Sequence, residues 1–218
     1  MLKVEFSAPE TDRRGTHLLV MLHGYGSDEH AMTRLFPFLP AGVTGAAVRG
    51  TFPVGDAFGW FLLDPYLESD TAEVLQAASG LLGWVDTARV EGGYTGVSLL
   101  GFSQGMAMAL TLVRLRPAGF DAVVGLSGFI AENELLAMAE PLSEPVPFFW
   151  GRDRNDWVIH EDAIAATRKW LEENTALTAR TYPGMGHSIG SQEVRDVMLF
   201  LKRYVVPGSR RSGSYKEG

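Results

Sequence analysis

The chain of 218 residues contains no cysteine, which excludes disulfide cross-links, thiolate nucleophiles and thiolate metal ligands. No apolar run reaches bilayer-spanning length. The first residues interleave Lys3, Glu5 and Glu10 with Val4 and Phe6, so the continuous apolar region of a signal peptide is missing. Positive charge is in deficit: 19 Lys and Arg stand against 26 Asp and Glu, a formal net charge of −7. A phosphate backbone or an anionic membrane surface would on average be repelled. The five histidines show no H-E-x-x-H or other recognisable metal spacing. These absences point to a cytoplasmic protein with no cofactor, no nucleic-acid partner and no stable membrane insertion; a homodimer is left open.

What is present is ordinary for an enzyme core: 46% hydrophobic residues, 21% charged residues and 25 glycines. A chain of this length suits one domain that buries roughly 70% of its unfolded surface. Short β-rich apolar runs alternate with helical patterns, which predicts βα units and a mostly parallel sheet. The strand candidates are His17 to Leu22, Thr44 to Val48, Tyr94 to Leu100, Phe120 to Leu126, Pro145 to Trp150 and Leu177 to Tyr182. Helices are predicted over Asp28 to Leu39, Thr71 to Val90, Gln104 to Leu115, Glu132 to Met138, Glu161 to Glu173 and Ser191 to Val205. Arg49 to Asp64, rich in Gly and carrying Phe58, Trp60 and Phe61, reads as a long aromatic loop. The expected layout is a single three-layer α/β domain over residues 1–206, with 207–218, Gly/Ser-rich and basic, as a disordered tail.

Gly101-Phe102-Ser103-Gln104-Gly105 matches the pattern in which small residues flank a serine on a tight strand-to-helix turn. Spacing alone is weak, and Gly186-His187-Ser188-Ile189-Gly190 matches it too. Context separates them. Ser103 follows a buried strand candidate and precedes Met106 to Val113, apolar on every side, whereas Ser188 follows the turn signal Tyr182-Pro183-Gly184. Serine needs a base to take its proton and a carboxylate to orient that base. Only His160 and His187 follow Ser103; His160 opens a helical pattern as a solvent-facing or capping residue, while His187 sits in a Gly-bracketed loop after the last strand candidate. No histidine follows Ser188, which cannot complete the order nucleophile, acid, histidine.

For the acid, the loop after Pro145 to Trp150 offers Asp153 and Asp156. Asp156 is preferred because Trp157-Val158-Ile159 can bury and fix it, while Asp153, between Arg152 and Arg154, reads as a solvated carboxylate among solvated cations. Developing charge on a carbonyl oxygen needs fixed donors, and the backbone N–H groups of Tyr25, in His23-Gly24-Tyr25-Gly26, and of Gln104 are the predicted pair. The same segment imitates a dinucleotide loop, but Glu29 occupies the third glycine position and would oppose a pyrophosphate.

Together these residues resemble the phospholipase/carboxylesterase family of small α/β-hydrolases, which includes acyl-protein thioesterases and bacterial carboxylesterases. The similarity runs from about residue 17 to 205 through His23-Gly24-Tyr25-Gly26, Trp60-Phe61, the Ser103 motif, Gly125-Leu126-Ser127-Gly128, Asp156-Trp157-Val158-Ile159 and Gly186-His187-Ser188. The resemblance implies the α/β-hydrolase fold and a triad of Ser103, Asp156 and His187. It also implies an oxyanion hole at Tyr25 and Gln104, and metal-free hydrolysis of a small-molecule ester or thioester. Three departures stand out: Met106 where a small residue is common, a longer path from Gly151 to the acid, and His160 where a proline often stands. Phe58, Trp60 and Phe61, with Tyr25, Met106 and Phe129, are the candidate substrate walls. A ligand-binding module without chemistry, and acyl transfer to an alcohol instead of water, are the alternatives.

Overall fold

The central strands of this chain are apolar without alternation because both of their faces are covered. In the computed structural model, which describes residues 2–64, 66–131, 134–138, 140–142 and 144–206, β1 (Val4–Phe6) and β2 (His17–Leu22) are followed by α1 (His30–Thr33) and β3 (Val43–Val48). A ribbon of β4 (Phe52–Val54) and β5 (Ala57–Gly59) leads to α2 (Thr71–Gly92), β6 (Val97–Phe102), α3 (Gln104–Leu115) and β7 (Val123–Leu126). The chain ends with α4 (Glu134–Ala137), β8 (Val146–Arg152), α5 (Glu161–Asn174), β9 (Thr175–Thr181) and α6 (Ser191–Val205). Every residue of β2, β3 and β7 is buried, the signature of a sheet packed on both sides.

Seven strands form one sheet in the order β1-β3-β2-β6-β7-β8-β9, all parallel except the β1–β3 pair. Along β2, Leu18, Val20 and Leu22 pack with α2, α3 and α5, while Leu19 and Met21 pack with α1 and α6. That alternation makes the three layers. The chain runs outward from β2 to β3 and then returns to β6 on the other side, so the order reverses between β2 and β6. In such sheets the crevice outside the carboxyl ends at the reversal is the natural site. His23-Gly24-Tyr25 follows β2 there and Ser103 follows β6.

Two expectations are corrected and one strand was not expected. Asp28 to Leu39 is not one helix: α1 stops at Thr33 and Phe36–Phe38 forms a separate 3-10 turn. Pro37 has no N–H to continue the ladder, and Leu39 is extended ahead of Pro40. Arg49 to Asp64 is not an open loop but contains the antiparallel ribbon, with Phe52 opposite Gly59 and Gly55 turning at φ 58°. The edge strand β1 had no legible signal, being only three residues long. Residues 207–218 and Glu132 lie outside the described residues. No helix among the described residues is long and apolar enough to cross a membrane.

Candidate active site

Ser103 sits between β6 and α3 with φ 53° and ψ −120°, a conformation non-glycine residues rarely adopt. Its neighbours explain how the turn closes. A Cβ on Gly101 would lie 2.2 Å from the Gly105 carbonyl oxygen, and one on Gly105 would lie 2.1 Å from that of Leu22. The flanking glycines are therefore imposed by backbones in contact, with α3 starting directly against β2 and β6. The Ser103 N–H donates to Leu126 O at 2.9 Å, which ties the turn to β7.

His187 reaches the same point from the loop after β9. Its Nε2 is 3.0 Å from Ser103 Oγ, and its Nδ1 is 2.9 Å from Asp156 Oδ2 and 3.1 Å from Oδ1. Burial pushes the Asp156 carboxyl up, but the His187 ring and the N–H groups of Val158 and Ile159 outweigh it and hold the group below its ordinary value. An ionised Asp156 can only accept, so Nδ1 carries the proton and Nε2 is left to accept from the serine hydroxyl. The three side chains form one hydrogen-bonded line.

Asp153 is not the solvated carboxylate expected from its flanking arginines. It is 1% exposed and its Oδ2 accepts from the N–H groups of Met185 at 2.6 Å and Gly186 at 2.7 Å, with Oδ1 accepting from Asn155 N at 3.0 Å. The Asn155 N–H, followed by that of Gly186, lowers its pKa. Asp153 thus pins the loop that presents His187. Arg152 is also corrected, being 7% exposed beside Trp150, whereas Arg154 is exposed as expected. His160 is the exposed N-terminal flank of α5, and Ser188 donates to Met185 O at 2.6 Å, outside the line.

Opposite Ser103, the turn after β2 is cross-tied. The buried His23 ring accepts from Gly50 N–H at Nε2 (2.9 Å), so its Nδ1 donates to Gly24 O (2.7 Å). Burial keeps this histidine's pKa below the usual value. Trp60 Nε1 donates to His23 O at 2.9 Å, and the Gln104 side chain accepts from Trp60 N–H at 3.0 Å and donates to Phe61 O at 2.8 Å. The Gln104 side chain therefore has a bracing role beyond its backbone N–H. Tyr25 N–H donates to no group among the described residues, and Gln104, first residue of α3, has no helical carbonyl to bond. Glu29, fully buried, is held at about 2: burial opposes ionisation, but Arg49 and Lys3 hydrogen-bond it and prevail.

Ser103 and His187 open onto a cleft of about 830 Å³ walled by Tyr25, Ala31, Arg34, Leu35, Phe38, Phe102, Ile189, Val194 and Arg195. Of the six sequence-derived wall residues, Tyr25 lines it and the other five do not. Trp60 and Phe61 are core, 3% and 1% exposed. Met106 is fully buried where Gly125 and Gly128 leave room; a Cβ on either glycine would come within 2.4 Å of it. Phe58 lies under Arg49. Phe129 lines a separate cavity of about 640 Å³ with Leu67, Ile130 and Ala163. The reading missed Phe102, whose ring centroid is 5.0 Å from that of His187, and the walls from α1 and α6. The aromatic residue beside the nucleophile was the available signal for the first.

Comparison with known proteins bears on the family and the fold. A profile described as phospholipase/carboxylesterase matches residues 6–205. Carboxylesterase SOBER1 of Arabidopsis thaliana is 27% identical over 137 residues, spanning 62% of this chain and 60% of its own length. Acyl-protein thioesterase 1 of Kluyveromyces lactis is 25% identical over 208 residues, 86% of this chain and 91% of the relative. The crystal structure of esterase PE8 superposes with a TM-score of 0.79 over 94% of this chain and 99% of that one, at 24% identity, and shares the α/β-hydrolase fold.

Proposed function

We propose that this chain, which belongs to the phospholipase/carboxylesterase family, hydrolyses carboxylic esters or thioesters through an acyl-enzyme on Ser103. The observation that carries the reading is the continuous line from Ser103 Oγ through His187 to Asp156, with contacts of 3.0 and 2.9 Å. In the first half-reaction Ser103 Oγ attacks the carbonyl carbon and its proton passes to His187 Nε2. Asp156 holds the ring in the tautomer that can accept and stabilises the imidazolium. The C–O or C–S bond to the leaving group then breaks, and His187 returns the proton to the departing oxygen or sulfur. Water repeats the sequence on the acyl-enzyme and releases the acid.

The Tyr25 and Gln104 N–H groups are suited to receive the oxyanion, and such a donor contributes about 2.7–4 kcal/mol to the barrier reduction. Both stand on braced backbone, Tyr25 next to the His23 ties and Gln104 at the start of α3. Pre-positioning of this kind is what makes oxyanion donors effective. The relatives named carboxylesterase and acyl-protein thioesterase support the choice of ester and thioester over other acyl compounds.

An activity screen over p-nitrophenyl esters of graded acyl length, together with an acyl thioester, tests the proposal. We expect turnover that Ser103→Ala lowers by about 10⁶ in kcat and Ser188→Ala largely preserves. Equal losses in the two variants, or turnover indifferent to Ser103, would remove the assignment.

A further inference from the structure

The cleft at Ser103 has a charge pattern that acyl transfer itself does not use. Its lining includes Arg34, immediately after α1, and Arg195, on α6, and among the described lining residues there is no Asp or Glu. This runs against a chain with 26 acidic and 19 basic residues. Both arginines are exposed, and neither forms an ion pair among the described residues.

The acids nearest to them in the chain are engaged elsewhere. Glu29 is fully buried against Arg49 and Lys3, and Asp28 accepts from His30 N–H at 3.0 Å. Asp196 accepts from Tyr182 Oη at 2.7 Å, and Glu193 is fully buried at the start of α6. The cleft therefore carries a guanidinium beside α1 and another on α6, while the carboxylates nearest to them in the chain are engaged elsewhere. The wall beside them is apolar, with Ala31, Leu35 and Val194. A guanidinium offers a planar fork of donors that fits carboxylate or phosphate oxygens.

We propose that the cleft selects esters or thioesters carrying a carboxylate or phosphate group, separated from the reacting carbonyl by an apolar spacer and received by Arg34 and Arg195. The inference rests on Ser103 being the nucleophile. It adds a substrate class: anionic acyl compounds over their neutral isosteres. The overall charge of −7 would repel such a substrate at long range. The selectivity is therefore local to the cleft and vanishes with the two arginines.

Three matched pairs of substrates read this out. The first is the p-nitrophenyl monoester of suberic acid against that of suberic acid monoamide, which places the anion on the acyl arm. The second is the S-butyryl thioester of 3-mercaptopropionate against that of 3-mercaptopropionamide, and the third is the S-butyryl thioester of 2-mercaptoethyl phosphate against its dimethyl ester. We expect kcat/KM to favour the anion by about tenfold or more in at least one pair, as two partly screened arginine–anion pairs allow together. The pair that responds identifies the arm and the anion. The ratio should shrink at 1 M salt, where the screening length is about 3 Å. It should also fall below about threefold in the Arg34→Gln, Arg195→Gln double variant, and persist in Arg89→Gln, which removes one positive charge from α2. A ratio under tenfold in all three pairs, or one that survives loss of both cleft arginines, overturns the proposal. Because the neutral members are themselves substrates of the Ser103 chemistry, their turnover without an anion preference rejects this inference alone. Absence of turnover with all six compounds rejects the hydrolase reading with it.

Discussion

At the scale of single residues, the two aspartates of the loop after β8 divide the work. Asp156 faces the ring of His187, and Asp153 holds the backbone of the loop that carries it. Removing the charge of Asp156 removes what fixes the tautomer and stabilises the imidazolium, so Asp156→Asn should lower kcat by about 10³–10⁴ in a folded protein. Asp153→Asn replaces a carboxylate that accepts from three N–H groups with an amide that has one accepting oxygen, whose NH₂ cannot accept. The resulting shift of His187 should cost about 10- to 100-fold, since small misplacements of a catalytic group have effects of that order. Kinetics of both variants at one pH, with circular dichroism as the folding check, separate the roles; a larger loss at Asp153 would exchange them. That Ser103, His187 and Asp156 meet was legible in the sequence because a serine–histidine–carboxylate line restricts residue type and chain order. Asp153 was not. Between two arginines a carboxylate reads as solvated, and only the return of the loop at Met185 and Gly186 buries it. Five of the six expected wall residues lie away from the cleft for a related reason: an aromatic or Met near the nucleophile can point to core or to cleft, and Met106 points to core because Gly125 and Gly128 leave it space.

Among the elements, α6 carries an ionisable group under its first turn. Glu193 is fully buried, and its Oε2 accepts from Gly190 N–H at 3.4 Å while Oε1 has no hydrogen-bond partner among the described residues. Burial, with Asp196 adding to it, raises its pKa from 4.5 to about 8. The folded state therefore holds a proton that the unfolded state has released between these values. Stability is greatest on the acid side and is lost as pH rises through about 8. We expect the thermal midpoint to fall by more than about 3 °C between pH 6 and 9, and Glu193→Gln to remove most of that slope. An unchanged slope in the variant would place the titration elsewhere. Most elements were legible from periodicity: α3 and α6 span Gln104–Leu115 and Ser191–Val205 as read, and β2 spans His17–Leu22. The failures lie where proline and glycine act locally. Pro37 ended a helix that the apolar spacing favoured, and Gly55 folded an aromatic segment into a ribbon whose alternation was too short to register.

For the whole molecule, the seven-stranded sheet with its reversal between β2 and β6 brings residues 23–25, 103 and 187 to one edge from three distant parts of the chain. The order of βα units was readable from the sequence, and so was the fold class. The strand order and the cleft formed by α1 and α6 were not, because they depend on which layer each helix joins. The central claim is that this arrangement makes one serine of the chain nucleophilic. The most direct measurement is intact-mass and peptide mass spectrometry after exposure to a fluorophosphonate. A single adduct is expected on the peptide bearing Ser103, retained in Ser188→Ala and abolished in Ser103→Ala with the fold intact. A folded protein that stays unlabelled, or one labelled equally with Ser103 replaced by Ala, would contradict it.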